Sequence, residues 1–243
     1  MRNKKLITVF IVSILSILLI SLYFVYLDYL DKAPKPKEIL DEGVLLIYPR
    51  FTEIAYAKDS FYAYYNEMCD QSCLTQPLDR EKGNRYVLGL NGFDYLNHNY
   101  ISASDLFLNS DSVVNDIELS NFHTVILFHN EYVTKKLFDQ ITSHPNVVYL
   151  YPNSLYAEVS VNYDDNTMTL VRGHGYPSSE IANGFDWKHE NTEQEDDCKE
   201  GQWNFYKVSN GIMLDCYPEN IIKKDKQLQK YIHNYIRESD ESQ

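Results

Sequence analysis

The spacing of apolar positions along this chain changes several times, and each change marks a boundary. From Leu6 to Leu27 the residues read LITVFIVSILSILLISLYFVYL, 22 positions without a charge. At 1.5 Å per residue such a stretch spans roughly 33 Å as a helix, enough for the hydrocarbon core of a bilayer. From Val44 onward the apolar runs shorten to strand length. VLLIYPRF (44–51), RYVLGL (85–90), TVILFH (124–129) and NVVYLY (146–151) are continuous rather than alternating, as expected of strands covered on both faces. Helical stretches are predicted between them: TEIAYAKDSFYAYYNEMC (52–69), a short helix ahead of a third strand in NGFDYLNHNYISASDLFL (91–108), and TKKLFDQITSH (134–144). Strands alternating with helices of this length predict an α/β domain built on a parallel sheet with right-handed crossovers.

After Tyr151 the period becomes two. AEVSVNY and MTLVRG flank the turn DDNT, and QWNFYKVS and IMLDCY flank Asn210-Gly211, so two β-hairpins are predicted. A final helix from about Glu219 to Ile236, after Pro218, sets Ile221, Leu228, Ile232 and Tyr235 on one face. The predicted organisation is a cytoplasmic amino terminus (1–5), a transmembrane signal-anchor helix (6–27), a linker (28–43), an extracytoplasmic α/β domain (44–236) and a disordered tail (237–243).

The anchor reading rests on what flanks the span. A cleavable signal peptide has a shorter apolar region ending in small residues at a cleavage site. Here DYLDKAPKPK follows instead. Arg2, Lys4 and Lys5 precede the span and Asp28 and Asp31 follow it, which places the amino terminus inside and the domain outside a cell membrane. With those three basic residues set aside, 19 Lys+Arg face 35 Asp+Glu, a balance of about −16. Such a surface repels phosphate backbones and excludes nucleic acid as a partner. The expected partners are the membrane, through the one amino-terminal helix, and a protein or small molecule whose identity the sequence does not give. Four cysteines, Cys69, Cys73, Cys198 and Cys216, make an even set for an exterior domain, and local pairing into disulfides is the economical arrangement of three possible.

Candidate chemistry gathers where predicted strands end, because ligands of open α/β sheets bind beyond the carboxyl ends of strands. His129-Asn130-Glu131-Tyr132 follows TVILF. His129 and Glu131 are of the types that move protons or ligate metals, and Tyr132 can donate a hydrogen bond or act as a phenolate ligand. The same residues also fit a helix start, with Asn130 or Thr134 as cap and Glu131 at the positive end of the helix dipole. His174, between Gly173 and Gly175 in VRGHGYP, is a second candidate for proton transfer. Asn153 and Ser154 follow the next strand. Ser154 stands where a hydrolase nucleophile would, but its flanking Pro152 and Tyr156 are not the small residues a nucleophile elbow needs. No cysteine lies between Cys73 and Cys198, so a cysteine nucleophile is excluded there.

On two motifs the stretch resembles the carboxyl-terminal domain of the N,N-dimethylformamidase large subunit, a domain similar to class I glutamine amidotransferases. HNEYVT (129–134) matches that family's H-x-E-Y-W-[ST], with Val133 in place of tryptophan. YPNSLYAEV (151–159) matches its G-G-N-x-x-Y-W stretch, with Pro152 in place of a glycine. The resemblance covers about residues 44 to 218. It implies a flavodoxin-like, glutamine-amidotransferase-like core and, in catalytic members, a mononuclear iron held by tyrosines and a glutamate. Tyr132, with its neighbour Glu131, is the position it marks as a metal ligand. Two functions follow as expectations. One is a ligand-binding or interaction module without a Cys-His-Glu triad, with Asn130, Asn153 and Ser154 at its site. The other is a hydrolase of amide or related C–N bonds that uses one iron or zinc ion, with His129 or His174 assisting.

Overall fold

The computed structural model describes residues 43–80, 90–98, 100–109, 118–194 and 196–240. The expected cytoplasmic terminus, membrane span and all but the last residue of the linker lie outside the described residues, as do 85–89 of the strand expected at 85–90. Among the described residues no helix is long and apolar enough to cross a membrane.

Among the described residues ten strands form two sheets. The larger joins β1 (Val44–Tyr48), β3 (Ile101–Ser104), β4 (Thr124–Leu127), β6 (Val147–Tyr149), β9 (Phe205–Val208) and β10 (Gly211–Leu214). Their order is β3-β1-β4-β6-β10-β9. All neighbours are parallel except β9 and β10. Numbered by their own sequence, the five parallel strands lie 2-1-3-4-5, the order of flavodoxin-like doubly wound sheets. The chain is a mixed α/β protein with a parallel sheet, compatible with that fold.

Apolar runs become strands here because both faces are covered. Val44 and Leu46 of β1 pack into one cluster, Leu45 and Ile47 into the other. The same division holds for Ile126 against Val125 and Leu127 in β4, and for Val148 against Val147 and Tyr149 in β6. Each fully buried aliphatic side chain of this kind contributes about 1.5–3 kcal/mol. One face is covered by α3 (Leu90–Leu96) and α6 (Lys226–Asp240), through Phe93, Leu96, Leu228, Ile232 and Ile236. The other is covered by α4 (Asp105–Asn109) and α5 (Lys135–Ser143), through Leu108, Leu137 and Ile141.

The smaller sheet, in order β2-β8-β7-β5, contains the expected hairpin of β7 (Ala157–Asn162) and β8 (Thr167–Arg172). β2 (Thr75–Pro77) and β5 (Tyr132–Val133) flank it, and β5 runs parallel to β7 with Tyr132 opposite Ala157. A third cluster packs its buried face against α1 (Arg50–Ala55) and α2 (Phe61–Tyr65).

Four details differ from the sequence expectation. The helix expected at 52–69 is two short helices, α1 and α2, because Asp59 takes a left-handed φ of 56° and Ser60 is extended. Leu90, expected to end a strand, begins α3. The final helix starts at Lys226 rather than after Pro218, because the Asp225 carboxylate caps it, accepting the Gln227 and Leu228 N–H groups at 2.9 and 3.0 Å. That helix continues to Asp240, so residues 237–240 of the expected tail are helical.

Cysteine pairing is local at both places: Cys69–Cys73 and Cys198–Cys216 are disulfides. Two disulfides in one domain are consistent with folding in an oxidising, extracellular compartment. Gly211, expected for its turn, is required for a different reason. A Cβ there would lie 1.8 Å from the Val147 carbonyl oxygen, so only glycine lets β10 approach β6.

Candidate functional site

Beyond the carboxyl ends of β1, β4 and β6, at the point where strand order reverses, four side chains close around one carboxylate. Glu131 is fully buried. Its backbone is fixed from three sides. The Thr52 hydroxyl oxygen accepts the Glu131 N–H at 3.0 Å and the Tyr132 N–H at 3.2 Å. The Glu131 carbonyl accepts the N–H groups of Tyr156 and Ala157 at 2.8 and 2.9 Å. Its carboxylate is thereby aimed into the cluster and not at the start of α5. Thr134 caps that helix, its hydroxyl oxygen accepting the Leu137 N–H at 3.2 Å. The cap and the reactive cluster are therefore different residues of one motif.

Both carboxylate oxygens are engaged. Oε2 accepts the Tyr56 hydroxyl at 2.8 Å, and the Tyr62 hydroxyl, 2.6 Å from that of Tyr56, lies 3.4 Å from Oε1. His174 Nε2 lies 2.5 Å from Oε1 and His129 Nε2 lies 3.2 Å from Oε2. The His174 contact is short but poorly aligned for a hydrogen bond, so it acts as a charge contact. His129 Nε2 also lies 3.0 Å from the Asn153 amide nitrogen. One ring nitrogen cannot donate and accept at once. While it accepts from Asn153, His174 is the partner that matters to Glu131.

Burial acts most strongly and raises the Glu131 carboxyl, but the histidine contacts, His174 first and then His129, together outweigh it and hold the group below the usual carboxylate range. The phenols shift the other way. Burial first, then the Glu131 charge, pushes Tyr56, Tyr62 and Tyr132 up, so they stay neutral donors. Tyr132 is fully buried, with its ring stacked on His174 at 5.5 Å and its hydroxyl donating to Tyr65 at 3.3 Å.

His174 reaches the cluster from the loop after β8. It has a left-handed φ of 52° between Gly173 (126°) and Gly175 (77°), and its N–H bonds the Ala182 carbonyl at 2.8 Å. At Gly173 the need for glycine is strict, since a Cβ would also lie 2.9 Å from that of Ala157. His129 is held by stacking on Tyr151, with centroids 4.6 Å apart and planes within 8°.

A cavity of about 220 Å³ opens beside the cluster, lined by Asn153, Tyr156, His174, Ala182, Thr192 and Tyr217, with Glu193. Asn153 is 7% exposed, and its Oδ1 is buried without a hydrogen-bond partner. The sequence candidates separate accordingly. His129, Glu131, Tyr132, Asn153 and His174 come together. Asn130 does not line the cavity: its Oδ1 accepts the Phe128 N–H at 3.0 Å and its Nδ2 lies 3.4 Å from Asp105, tying two strand ends together. Ser154 is fully buried, and its hydroxyl donates to the Tyr151 carbonyl at 2.9 Å. Ser154→Ala is therefore expected to lower stability by about 0.5–1.5 kcal/mol in chemical denaturation and to leave ligand binding unchanged. A loss of binding would return Ser154 to the site.

Sequence reasoning missed Tyr56, Tyr62 and Tyr65. The available signal was the density of tyrosine in AYAKDSFYAYY directly after β1, at the strand end where ligands bind.

The iron implied by the resemblance would be held by tyrosine and glutamate oxygens, and here those of Tyr56, Tyr62 and Glu131 are hydrogen-bonded to one another. Among the described residues no group of three or more His, Cys, Asp or Glu side chains is arranged to hold a metal. The Glu131 oxygens already serve the tyrosines and histidines.

Fold and cluster together define a disulfide-linked mixed α/β domain with a carboxylate–imidazole–phenol cluster at the carboxyl edge of its parallel sheet. No family model matches the chain, and no curated protein matches its sequence.

Proposed function

We propose that this chain is a membrane-anchored, extracytoplasmic, amidotransferase-like domain that binds a small polar ligand without transforming it. The observation that carries the reading is the Asn153 amide oxygen, buried and unpartnered on a residue that lines the cavity with His174. An unsatisfied buried acceptor costs about 1–3 kcal/mol, which a ligand N–H or O–H donor would recover. The cavity, of about 220 Å³, admits a small molecule. Ser154 is turned into the backbone and no cysteine stands near, so a nucleophile for covalent chemistry is lacking at these positions. The two disulfides support an exterior location, and the uncharged stretch 6–27 supports the anchor.

The second reading, a metal-dependent hydrolase of amide bonds, draws on one observation, the convergence of tyrosine hydroxyls on and near Glu131. Those donors satisfy one another, which favours the binding reading.

Formamide titrated into the purified full chain tests both. Binding detected by calorimetry, weakened about five- to tenfold in Asn153→Ala, with no ammonia released and no stoichiometric iron or zinc by elemental mass spectrometry, is the expected result. Ammonia release dependent on bound metal would overturn the binding reading in favour of the hydrolase. Equal binding by Asn153→Ala would remove the site.

A further inference from the structure

The charges of this acidic chain are unevenly placed. Between Gly201 and Arg237 the exposed charged side chains are Lys207, Lys223, Lys224, Lys226, Lys230 and Arg237, all cations. The three carboxylates of that segment do not offset them at the surface. Glu219 and Asp225 are buried, and Asp215 is half-buried with its Oδ1 accepting the Asn204 N–H at 2.9 Å. Asp225 Oδ2 is taken by the Trp203 indole N–H at 2.7 Å and the Gly201 N–H at 2.8 Å. The acidic run before this segment ends against it, where Asp197 accepts the Asn220 amide at 2.9 Å.

Three rings lie beside these cations. Phe205 of β9 stacks on Tyr231 of α6, with centroids 5.0 Å apart and planes within 5°. Trp203 meets Phe205 and Tyr231 edge-on at 6.0 and 5.8 Å. Trp203 and Phe205 are half-buried, and Tyr231 is 42% exposed. Lys207, two residues after Phe205, lies on the same side of β9, and Lys230 immediately precedes Tyr231. Exposed aromatic rings among lysines are the composition of a surface that rests on lipid, since rings favour the headgroup level and ammonium groups the lipid phosphates. An acidic polymer would satisfy the lysines but would give the rings no apolar layer to enter. We infer that this face of β9 and α6 docks on an anionic bilayer surface, its lysines on lipid phosphates and its rings at headgroup depth. The inference extends the anchored reading proposed above and rests on it only for the tether. The linker 28–43, when extended, reaches roughly 50 Å. That exceeds the breadth of about 40 Å expected of a domain of this size, so the tether lets this face meet the bilayer. The excess of carboxylates elsewhere turns the other faces away from it.

Trp187 and Trp203 are the two tryptophans of the chain, so Trp187→Phe leaves Trp203 as the reporter. The test reconstitutes the full chain with that substitution into vesicles of phosphatidylcholine, alone or mixed with phosphatidylglycerol, each carrying a brominated phosphatidylcholine that quenches nearby tryptophan. The expected result is flotation with both vesicles and quenching at least about threefold stronger in the mixed ones. The excess should fall in about 1 M salt, where the screening length is about 3 Å. Replacing Lys223, Lys224, Lys226 and Lys230 by glutamine, all at exposed positions, is expected to abolish it, because each lysine strengthens attachment to an anionic surface by about fivefold. Equal quenching in the two vesicles, or equal quenching of the lysine variant, would overturn the inference, while flotation with both would keep the anchor. Flotation with the mixed vesicles alone, lost in the lysine variant, would overturn the anchor and keep the docking face; flotation with neither would overturn both. Lysine-dependent dimers in sedimentation, without quenching, would give the face to a second copy and overturn the inference. Should Trp187→Phe fail to fold, the difference in quenching between the parent chain and its lysine variant decides it.

Discussion

Glu131→Ala is expected to cost about 3–5 kcal/mol of stability, the effect of removing one partner from a buried charge contact. The substitution does more than delete a carboxylate. It leaves the hydroxyls of Tyr56 and Tyr62 without their acceptor and removes the close contact to His174 Nε2. For a domain of this size the midpoint of thermal unfolding should fall by roughly 10 °C or more. Glu180→Ala, at an exposed position, is the control and should stay within about 0.5 kcal/mol. The pH dependence has a definite sign. Because the folded-state carboxyl is held below the unfolded value, Glu131 contributes stability above the unfolded pKa of about 4.3, and this is lost as pH falls through the folded value. The gap between parent and variant should therefore narrow only in strongly acidic solution. A loss below about 1 kcal/mol at neutral pH would mean that the cluster is hydrated, and the site would have to be rebuilt around open water.

Replacing Cys198 and Cys216 together by alanine is expected to cost about 3 kcal/mol in the chain-entropy account, given the 18-residue separation of the two cysteines. Both cysteines are also buried in the cluster that covers one face of the sheet, with Leu214, Ile221 and Leu228, so packing is lost as well. The Cys69–Cys73 bridge closes only a four-residue separation near the surface, and removing it should cost less. Denaturant unfolding of the two double variants, each with and without reductant, measures the difference. Equal losses would show that the longer bridge closes a loop already ordered in the unfolded chain.

The two expected losses belong to different levels of organisation, and the sequence discloses them unequally. The disulfides could be placed from spacing, because each joins cysteines close in the chain. The strands β1, β4 and β6 were legible for a comparable reason. A strand buried on both faces is apolar at nearly every position, and VLLIY, TVIL and VVY carry no charged residue to expose. Hairpins were legible because a period of two is a local property. Helix ends were less so, since Asp225 caps α6 only by virtue of a turn that the periodicity of 219–236 does not register.

The candidate site shows the same limit more sharply. HNEYVT drew attention to Glu131, and position after a buried strand made it a candidate, but its chemistry depends on Tyr56, 75 residues earlier in the chain, and on His174 in a loop beyond four further strands. Nothing in local spacing brings those together. Strand order does: with β4 beside β1, the α1–α2 segment after β1 faces the residues after β4, and β5 pairing with β7 carries the loop after β8 over them. Asn130 and Ser154 are the counterexamples, polar residues at the right strand ends whose side chains the same packing turns inward to satisfy the backbone. The sequence by itself therefore determined which segments would be buried and where a site could lie. Only the tertiary structure decided which side chains meet there, because a hydrogen bond is directional and its partners are set by the three-dimensional order of strands, whereas burial requires only that a residue be apolar.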